Sequence, residues 1–300
     1  MIVVLGSTGN TGSVVTEFLL TKKQQVRAVG RSKEHLARFA SRGAETFVAD
    51  LTDSGLLTKA FSGARAVFAL LPPNLSAPNY LAYQDQVINS LVKALEAAKI
   101  SHVVTLSSVG ADKPDKTGPV VGLFKLENRL NQIPSLNSLH LRAAYFMENT
   151  LPQVSVIRTT GKMAGPLRPD LPFPVIATRD IGTAAGEALL SLDFHGHQTR
   201  ELHGQRDLTY TEMAKIIGSI IGRPALTYVQ IPKDQFVQAV SQMGMSHHAG
   251  ELLFEMSEAM NSGHMRALET RSAKNTTPTR FEEFVQQVFV PAYKGQAARA

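Results

Sequence analysis

The sequence contains no cysteine and no tryptophan among its 300 residues. Without cysteine it can form no disulfide, no thiolate nucleophile and no cysteine-based zinc site. Its nine histidines include the close pairs His195/His197 and His247/His248, but none follows His-Glu-x-x-His or a comparable metal-ligand spacing. The composition therefore excludes cysteine chemistry and predicts no metal site.

Long apolar runs are also lacking, since none approaches the roughly 20 residues that a membrane-spanning helix needs. No basic leader precedes the first apolar run, Ile2–Leu5, which has the length of a buried strand rather than that of a signal peptide. These features predict a cytoplasmic protein without a membrane segment, and the lack of cysteine is consistent with a reducing compartment.

The charge balance is mildly basic, with 31 Lys and Arg against 25 Asp and Glu and a net charge of +6. A nucleic-acid-binding protein usually concentrates such an excess on one face. Here the basic residues are scattered, with only short pairs such as Lys22-Lys23. We therefore expect no nucleic-acid partner, and a surface that favours an anionic cofactor.

A glycine-rich loop stands between an apolar run and a helix at the start of the chain. The run ends at Leu5, Gly6-Ser-Thr-Gly9-Asn-Thr-Gly12 follows, and a helix with an apolar face begins near Ser13. Gly6 permits a tight turn with positive φ, Gly9 lets the backbone approach a pyrophosphate, and Gly12 lets the helix pack close to the strand. The order of strand, loop and helix predicts a dinucleotide site. A glycine-rich turn without a ligand is the alternative.

Strands and helices alternate through the first half of the chain, which predicts an α/β fold with a Rossmann-type, doubly wound parallel sheet. The predicted strands cover residues 1–5, 25–30, 45–49, 64–71, 102–107 and 138–142, and the main helices between them cover 33–42, 56–61 and 80–98.

The pattern changes after about residue 150, where prolines cluster and helical segments dominate. We expect an NAD(P)-binding Rossmann domain over residues 1–150 and a smaller, more helical substrate or partner lobe over 151–300, from which segments can return to the first domain. Thr209 or Thr211 is expected to cap a helix in this lobe. The polar tail from Lys294 to Ala300 is expected to fray.

The end of the second predicted strand indicates which nicotinamide cofactor is bound. In this fold an acidic residue there usually binds the adenosine ribose of NAD, whereas an arginine accommodates the 2′-phosphate of NADP. The sequence has Arg31 and no acid at this point, which predicts NADP(H) in preference to NAD(H). The alternative is that Arg31 only faces solvent. Asp50, at the end of the third strand, is expected to meet the adenine or to cap a helix.

The chain resembles the NmrA-like group of atypical short-chain dehydrogenase/reductases over nearly its whole length. Besides the glycine loop, the resemblance rests on Leu106–Gly110 at a strand end, on Lys125-Leu-Glu127, similar to the family's Lys-x-Glu, and on Asp180-Ile-Gly182. Its most specific element is Leu141–Asn149, similar to the family's LRP-x-x-FMEN segment. This resemblance implies either an NAD(P)H-dependent quinone or dye reductase or a redox sensor that binds the cofactor without turnover.

One departure from typical short-chain dehydrogenases bears on the chemistry. These enzymes use Tyr-x-x-x-Lys, in which the tyrosine transfers the proton, but the position four before Lys125 is Val121. Valine transfers no proton, so the usual alcohol/ketone mechanism is in doubt. Lys125 remains a candidate to hold the nicotinamide ribose. A solvated helix lysine is the alternative.

Three further polar residues are candidates for the site. Ser107, like its neighbour Ser108, lies where a catalytic serine would lie and is expected either to donate to a carbonyl or to bond local backbone. Tyr145 is the nearest other phenol, with an apolar wall position as its alternative. Asn149 is expected to line the pocket or to cap a turn.

These observations predict an oxidoreductase that transfers hydride from NADPH to a quinone-like or conjugated small-molecule acceptor, with Lys125, Ser107 and Tyr145 as candidate catalytic residues. The alternative is a non-catalytic NADPH/NADP sensor that regulates a protein partner, and a homodimer is also open. Phe124, Tyr145, Phe146 and Phe173 are expected to wall the acceptor pocket. The cofactor contacts are expected from Gly6, Thr8, Gly9, Asn10, Thr11, Gly12, Arg31, Asp50, Leu71, Pro72, Ser107, Lys125, Tyr145 and Asn149.

Overall fold

The computed structural model describes residues 1–295, and its frame is a seven-stranded, wholly parallel sheet. The strands of the chain are β1 (Ile2–Val4), β2 (Val26–Gly30), β3 (Glu45–Val48), β4 (Ala66–Ala69), β5 (His102–Ser108), β6 (Asn137–Ala143), β7 (Tyr145–Phe146), β8 (Met163–Gly165), β9 (Phe173–Ile176), β10 (His197–Leu202), β11 (Asp207–Leu208) and β12 (Tyr228–Gln230).

The helices alternate with these strands. They are α1 (Asn10–Thr21), α2 (Lys33–Ala40), α3 (Ser54–Phe61), α4 (Tyr80–Ala97), α5 (Val121–Leu130), α6 (Gln153–Thr160), α7 (Thr178–Ser191), α8 (Tyr210–Ile220), α9 (Lys233–Gln242), α10 (His247–Asn261), α11 (Phe281–Phe284) and α12 (Val290–Tyr293). A π-helical turn, Val285–Phe289, joins the last two.

The strand order of the large sheet is β10-β6-β5-β4-β1-β2-β3. This order reverses direction at β1. From β1 the chain adds β2 and β3 toward one edge of the sheet, and it then crosses over to add β4, β5, β6 and β10 toward the other edge. Such a reversal leaves a crevice beyond the carboxyl ends of the central strands, which is where open α/β sheets bind ligands. The predicted Rossmann-type fold is therefore confirmed.

Both faces of the sheet are covered by helices. Apolar residues of α1, α2 and α7, among them Val15, Phe39 and Ile181, form the core on one face. Residues of α3, α4 and α5, among them Leu57 and Leu91, form the core on the other. Burial on both faces explains why the central strands β1 and β4 are continuous apolar runs rather than alternating ones.

A second core lies in the later part of the chain and is built from β7–β9, α6, α8 and the last helices. Not all of residues 151–295 belong to it, because β10 pairs with β6 at the edge of the large sheet and α7 packs on α1. The contact of α7 with α1 depends on small residues, since a Cβ on Gly182 would lie 2.6 Å from Val14 Cβ.

The alternation of strands and helices is confirmed through β6, with shifts of one to three residues at most ends. Thr209, not Thr211, caps α8, in a capping box completed by Glu212. The sequence did not predict β10 or α6. Of the tail expected to fray, residues 296–300 lie outside the described range. Within residues 1–295 no helix is both long and apolar enough to cross a membrane.

His140, in the middle of β6, is fully buried between two polar side chains. Its Nδ1 lies 2.8 Å from Thr105 Oγ1 and its Nε2 lies 2.9 Å from Asn131 Oδ1. Burial lowers the pKa of His140 from 6.5 to about 4. The folded protein therefore holds this ring neutral over a pH range in which the unfolded chain protonates it.

We expect the stability to fall with acid because of His140. Between pH 6.5 and pH 4 the unfolded state binds a proton at His140 that the folded state does not bind. The free energy of unfolding therefore decreases as the pH falls, by about 2–3 kcal/mol at pH 4.5 relative to neutral pH. Chemical unfolding at pH 7.5 and 4.5 measures this loss. His140→Gln should show a smaller loss than the parent chain, and an unchanged loss would contradict the assignment.

Candidate active site

The glycine loop between β1 and α1 is folded tightly on itself. Gly6 has φ +63°, a conformation that favours glycine, and its carbonyl accepts a hydrogen bond from the Gly9 N–H at 2.9 Å. A Cβ on Gly12 would lie only 2.2 Å from the same carbonyl oxygen. Glycine at position 12 is therefore required for α1 to start against the turn.

The start of α1 is open to an anion. Gly9 occupies the N-cap position and provides no side-chain cap, and the first turn, which begins at Asn10, carries no acidic residue. The N–H groups at this end therefore have no side-chain acceptor, and the helix dipole adds a partial positive charge. Both properties suit a bound pyrophosphate.

A cleft of about 770 Å³ begins at this loop and extends across the carboxyl ends of the strands to the second core. All but one of the expected cofactor contacts line it. These residues are Gly6, Thr8, Gly9, Asn10, Thr11, Gly12, Arg31, Asp50, Leu71, Pro72, Ser107, Tyr145 and Asn149. Sequence positions as far apart as 6 and 149 are thus brought to one cavity by the parallel sheet.

Arg31 and Asp50 lie at the end of the cleft beyond β2 and β3. The Arg31 side chain is exposed, and within residues 1–295 no carboxylate approaches it within 4 Å. Asp50 Oδ1 accepts hydrogen bonds from the Thr52 N–H and hydroxyl. These bonds, chiefly the one from the backbone, lower the pKa of Asp50, and the Arg31 charge adds to the effect. Asp50 closes a turn rather than capping a helix, because the cap of α3 is Asp53.

Lys125 is the expected site residue that does not reach the cleft. Its Nζ lies 2.8 and 3.0 Å from the two carboxylate oxygens of Asp85 on α4. This ion pair lies in a shallow surface depression together with Phe124. Since α5 turns both side chains away from the cleft, the expectations that Lys125 holds the cofactor and that Phe124 walls the pocket are corrected.

The residue of Lys-x-Glu that faces inward is Glu127, which is 4% exposed. Its carboxylate accepts hydrogen bonds from Ser107 Oγ at 2.5 Å and from Arg142 Nε and Nη2 at 3.0 and 2.6 Å. The network ties α5 to the ends of β5 and β6 beneath the cleft. Ser107 lines the cleft, but its hydroxyl is already engaged with this carboxylate, while Ser108 Oγ donates to the Val109 carbonyl.

Tyr145 lines the cleft as part of an aromatic cluster. Its ring meets Phe173 edge-on at 5.2 Å between centroids, and its hydroxyl lies 2.8 Å from that of Tyr210. Tyr210 in turn stacks on Tyr228 at 4.4 Å. Burial raises the pKa of both Tyr145 and Tyr210, so both phenols are neutral at physiological pH. Tyr145 therefore serves the wall, with a hydroxyl that already has a partner.

Glu148, beside Asn149 in the FMEN segment, has a positioning role that the sequence did not indicate. Its carboxylate accepts hydrogen bonds from the Thr178 N–H, at 3.1 Å, and hydroxyl, at 2.7 Å, at the first residue of α7. Burial raises the pKa of Glu148. The pair fixes β7 to α7 and lies in the cleft wall, while Asn149 is exposed at the cleft.

The far half of the cleft is walled by the second core. Apart from Tyr145, Phe146 and Phe173, the apolar lining here includes Leu253, Met256, Met260 and Met265. Leu253, Met256 and Met260 share one face of α10, and Met265 follows that helix. The sequence predicted helical segments after residue 150 but not that a face of one of them would line a cavity. The resulting wall is adaptable, because methionine side chains are flexible and polarizable.

Within residues 1–295 no group of three or more His, Asp or Glu side chains is placed to hold a metal ion. The polar groups that line the cleft include the α1 N-terminus and Arg31 at one end, and Glu148, Tyr145 and Asn149 at the other. This arrangement can hold an elongated anionic cofactor against an apolar second molecule.

The chain is similar in sequence or in fold to several known proteins. The chain is 29% identical over 259 residues to an NAD(P)H azoreductase from Xenophilus azovorans, which covers 85% of this chain and 86% of that protein. Its fold is similar to that of an NADPH-dependent quinone oxidoreductase from Escherichia coli solved with NADPH, with a TM-score of 0.80 at 22% identity, covering 96% of this chain and all of that one. It is also similar to NmrA, a negative transcriptional regulator solved with NAD, with a TM-score of 0.68 at 16% identity over 98% and 97% of the two chains.

The sequence model of the NmrA-like family matches residues 1–285, which include the glycine loop, both halves of the cleft and most of the second core. The family resemblance expected from the sequence is thereby confirmed: the chain belongs to the NmrA-like family.

Proposed function

We propose that this protein is an NADPH-dependent reductase of quinone-like or other conjugated acceptors. The observation that carries the proposal is the single cleft, which begins at an anion-binding glycine loop and ends at an apolar, methionine-rich wall. Two of the similar proteins support it, since one is named as an azoreductase and the other as a quinone oxidoreductase.

The residues at the loop end fit an NADP molecule. The uncapped start of α1 would hold the pyrophosphate, and Gly6 and Gly12 allow the tight turn that places this helix start at the loop. Arg31 would bind the 2′-phosphate, and Asp50 and Leu71 would border the adenosine. When bound, NADPH supplies the hydride, and the protein's part is to place the acceptor against it and to exclude water.

The acceptor class follows from the lack of a proton donor in the usual place. The tyrosine position is Val121, Ser107 donates its hydroxyl to Glu127, and Lys125 lies outside the cleft. A quinone accepts hydride at one carbonyl oxygen or its conjugated system and takes its proton from water, so it needs no positioned acid. A simple ketone would need one.

We expect Tyr145→Phe to retain quinone turnover within about threefold, because water supplies the proton. The same change leaves the buried Tyr210 hydroxyl without its partner and should lower the unfolding free energy by about 1–3 kcal/mol. Steady-state kinetics and urea unfolding measure the two effects. The double variant Tyr145→Phe/Tyr210→Phe should recover part of the lost stability. A loss of turnover above a hundredfold would instead make Tyr145 the proton donor.

A second candidate function is a sensor of the NADPH/NADP ratio that binds a regulatory protein partner. Val121 and the position of Lys125 favour it, since a sensor keeps the cofactor site and needs no proton donor. A sensor of this ratio must respond differently to NADPH and to NADP. The two cofactors must therefore differ in affinity for the protein, or for its conformations, to shift the equilibrium between those conformations. Calorimetric titration with NADPH and with NADP tests this requirement, and equal affinities would count against the sensor.

A further inference from the structure

A segment that follows α10 forms one rim of the cleft. We call residues 264–269 the rim strap. The His264 ring lies 3.2 Å from the Asp115 carbonyl through Nε2, and Met265 is buried against the loop after β5, where a Cβ on Gly110 would lie 2.6 Å from Met265 Cγ. The strap therefore crosses the cleft at the ends of β5 and β10, on the acceptor side.

The rim strap is fixed at its other end by a buried carboxylate. Glu201, at the end of β10, is 3% exposed and accepts hydrogen bonds from the Leu268 and Glu269 N–H groups, each at 2.9 Å. His203 Nε2 lies 2.9 Å from the same carboxylate. Anchored at both ends, the strap holds the backbone of Arg266 and Ala267 at the cleft.

Arg266 is an exposed cation that lines the cleft without an ion pair. Two other arginines of this part of the chain are paired, Arg179 with Glu283 and Arg206 with Glu282. Within residues 1–295 no carboxylate lies within 4 Å of the Arg266 guanidinium.

Charge in the acceptor half of the cleft is therefore set by few groups. Apart from Arg266, the charged residues among those that line the cleft are Arg31, Asp50 and Glu148. Arg31 and Asp50 lie at the opposite end, and the Glu148 carboxyl is engaged by Thr178. Arg266 is thus the cationic residue that lines the acceptor half of the cleft.

Arg266 is too far from the proposed 2′-phosphate site to share it. Arg31 follows β2, and the strap crosses β5 and β10. The path from β2 through β1 and β4 to β5 spans three strand spacings, or roughly 14 Å. The two arginines therefore serve different parts of the cleft.

We propose that Arg266 determines specificity by binding a carboxylate or sulfonate on the acceptor, so that the preferred substrates are anionic conjugated ring compounds. The inference rests on the proposed reductase function. The planar guanidinium matches either anion with paired hydrogen bonds, while the aromatic ring of the same molecule lies on the methionine wall. The buried anchor at Glu201 holds the backbone of the strap, from which the Arg266 side chain extends, beside that wall.

The test compares a neutral naphthoquinone with its sulfonate derivative. Arg266→Ala should lower kcat/KM for the sulfonate about fivefold, the size of one exposed ion pair, and leave the neutral quinone within twofold. Arg200→Ala is the matched control, since it removes an exposed arginine of β10 that does not line the cleft. Added salt should reduce the sulfonate preference of the parent chain but not that of Arg266→Ala.

Two results would overturn the inference. One is an equal change of kcat/KM for both quinones in Arg266→Ala, and the other is a weakened affinity for NADPH, which would assign Arg266 to the cofactor. If the parent chain reduces neither quinone, the proposed function fails instead. Calorimetric binding of the sulfonate to the protein saturated with NADP then tests Arg266 directly, and an unchanged affinity in Arg266→Ala would reject it.

Discussion

Glu127→Gln is expected to lower the free energy of unfolding by about 3 kcal/mol, the largest stability effect that we predict for a single change. The substitution keeps the size of the side chain but removes its charge. Arg142, whose side chain is 15% exposed, then loses the carboxylate that binds it through two nitrogens. A buried guanidinium without a counter-charge costs far more than the ordinary loss of a hydrogen bond.

Urea unfolding followed by circular dichroism measures this effect, with Lys125→Ala as the control from the same motif. The Lys125–Asp85 pair is exposed, at 41% and 46% of the two side chains, so its loss should cost less than about 1 kcal/mol. If Glu127→Gln and Lys125→Ala lower the free energy of unfolding equally, the buried Glu127–Arg142 pair contributes no more stability than an exposed ion pair, which would contradict the prediction.

Arg31→Ala should weaken NADPH binding by about tenfold or more while changing NADH binding less than twofold. The guanidinium is exposed at the cleft and free of carboxylates within 4 Å among residues 1–295. Its charge-assisted hydrogen bonds would go to the 2′-phosphate, which NADH lacks, and such bonds contribute about 1.5–3 kcal/mol.

Calorimetric titration of both cofactors measures the difference. Arg38→Ala provides the control, since it removes an arginine of α2 that packs over the Phe39 ring and does not line the cleft. If Arg31→Ala weakens NADPH and NADH equally, the assignment of the 2′-phosphate to Arg31 is wrong, and the preference for NADP loses its basis.

The features that local sequence determines were predicted well. A turn with positive φ at Gly6 and the close approach at Gly12 depend on the absence of a Cβ, which is visible in the sequence itself. The parallel sheet follows from the alternation of apolar runs and helices, and it brings the strand ends together wherever they lie in the chain. For this reason the sequence alone predicted that the residues following β1, β2 and β3, namely the glycine loop, Arg31 and Asp50, lie in one cleft.

The features that depend on which way a helix faces were predicted less well. Lys-x-Glu offers two ionisable residues, and the motif does not say which of them points inward. Packing of Leu126 and Leu130 on the sheet core turns Glu127 to the ends of β5 and β6 and leaves Lys125 at the surface. A buried carboxylate with an arginine partner became recognisable only when Arg142 of β6 was placed beside it.

Contacts between distant parts of the chain were not predictable. The apolar face of α10 has the spacing of any core helix, and its use as a cleft wall depends on how the second core folds back over β5. That position is fixed by long-range bonds, such as the one from the Gly118 N–H to the Glu255 carboxylate at 3.0 Å. The anchor of the rim strap at Glu201 is of the same kind.

The most direct test of the account is NADPH oxidation, followed by the loss of nicotinamide absorbance, against a panel of quinones, with calorimetric NADPH binding in parallel. Calorimetry is preferred because the chain has no tryptophan to report binding by fluorescence. We predict saturable turnover with quinones and tight NADPH binding. Tight binding with no turnover across the panel would contradict the reductase and favour the sensor.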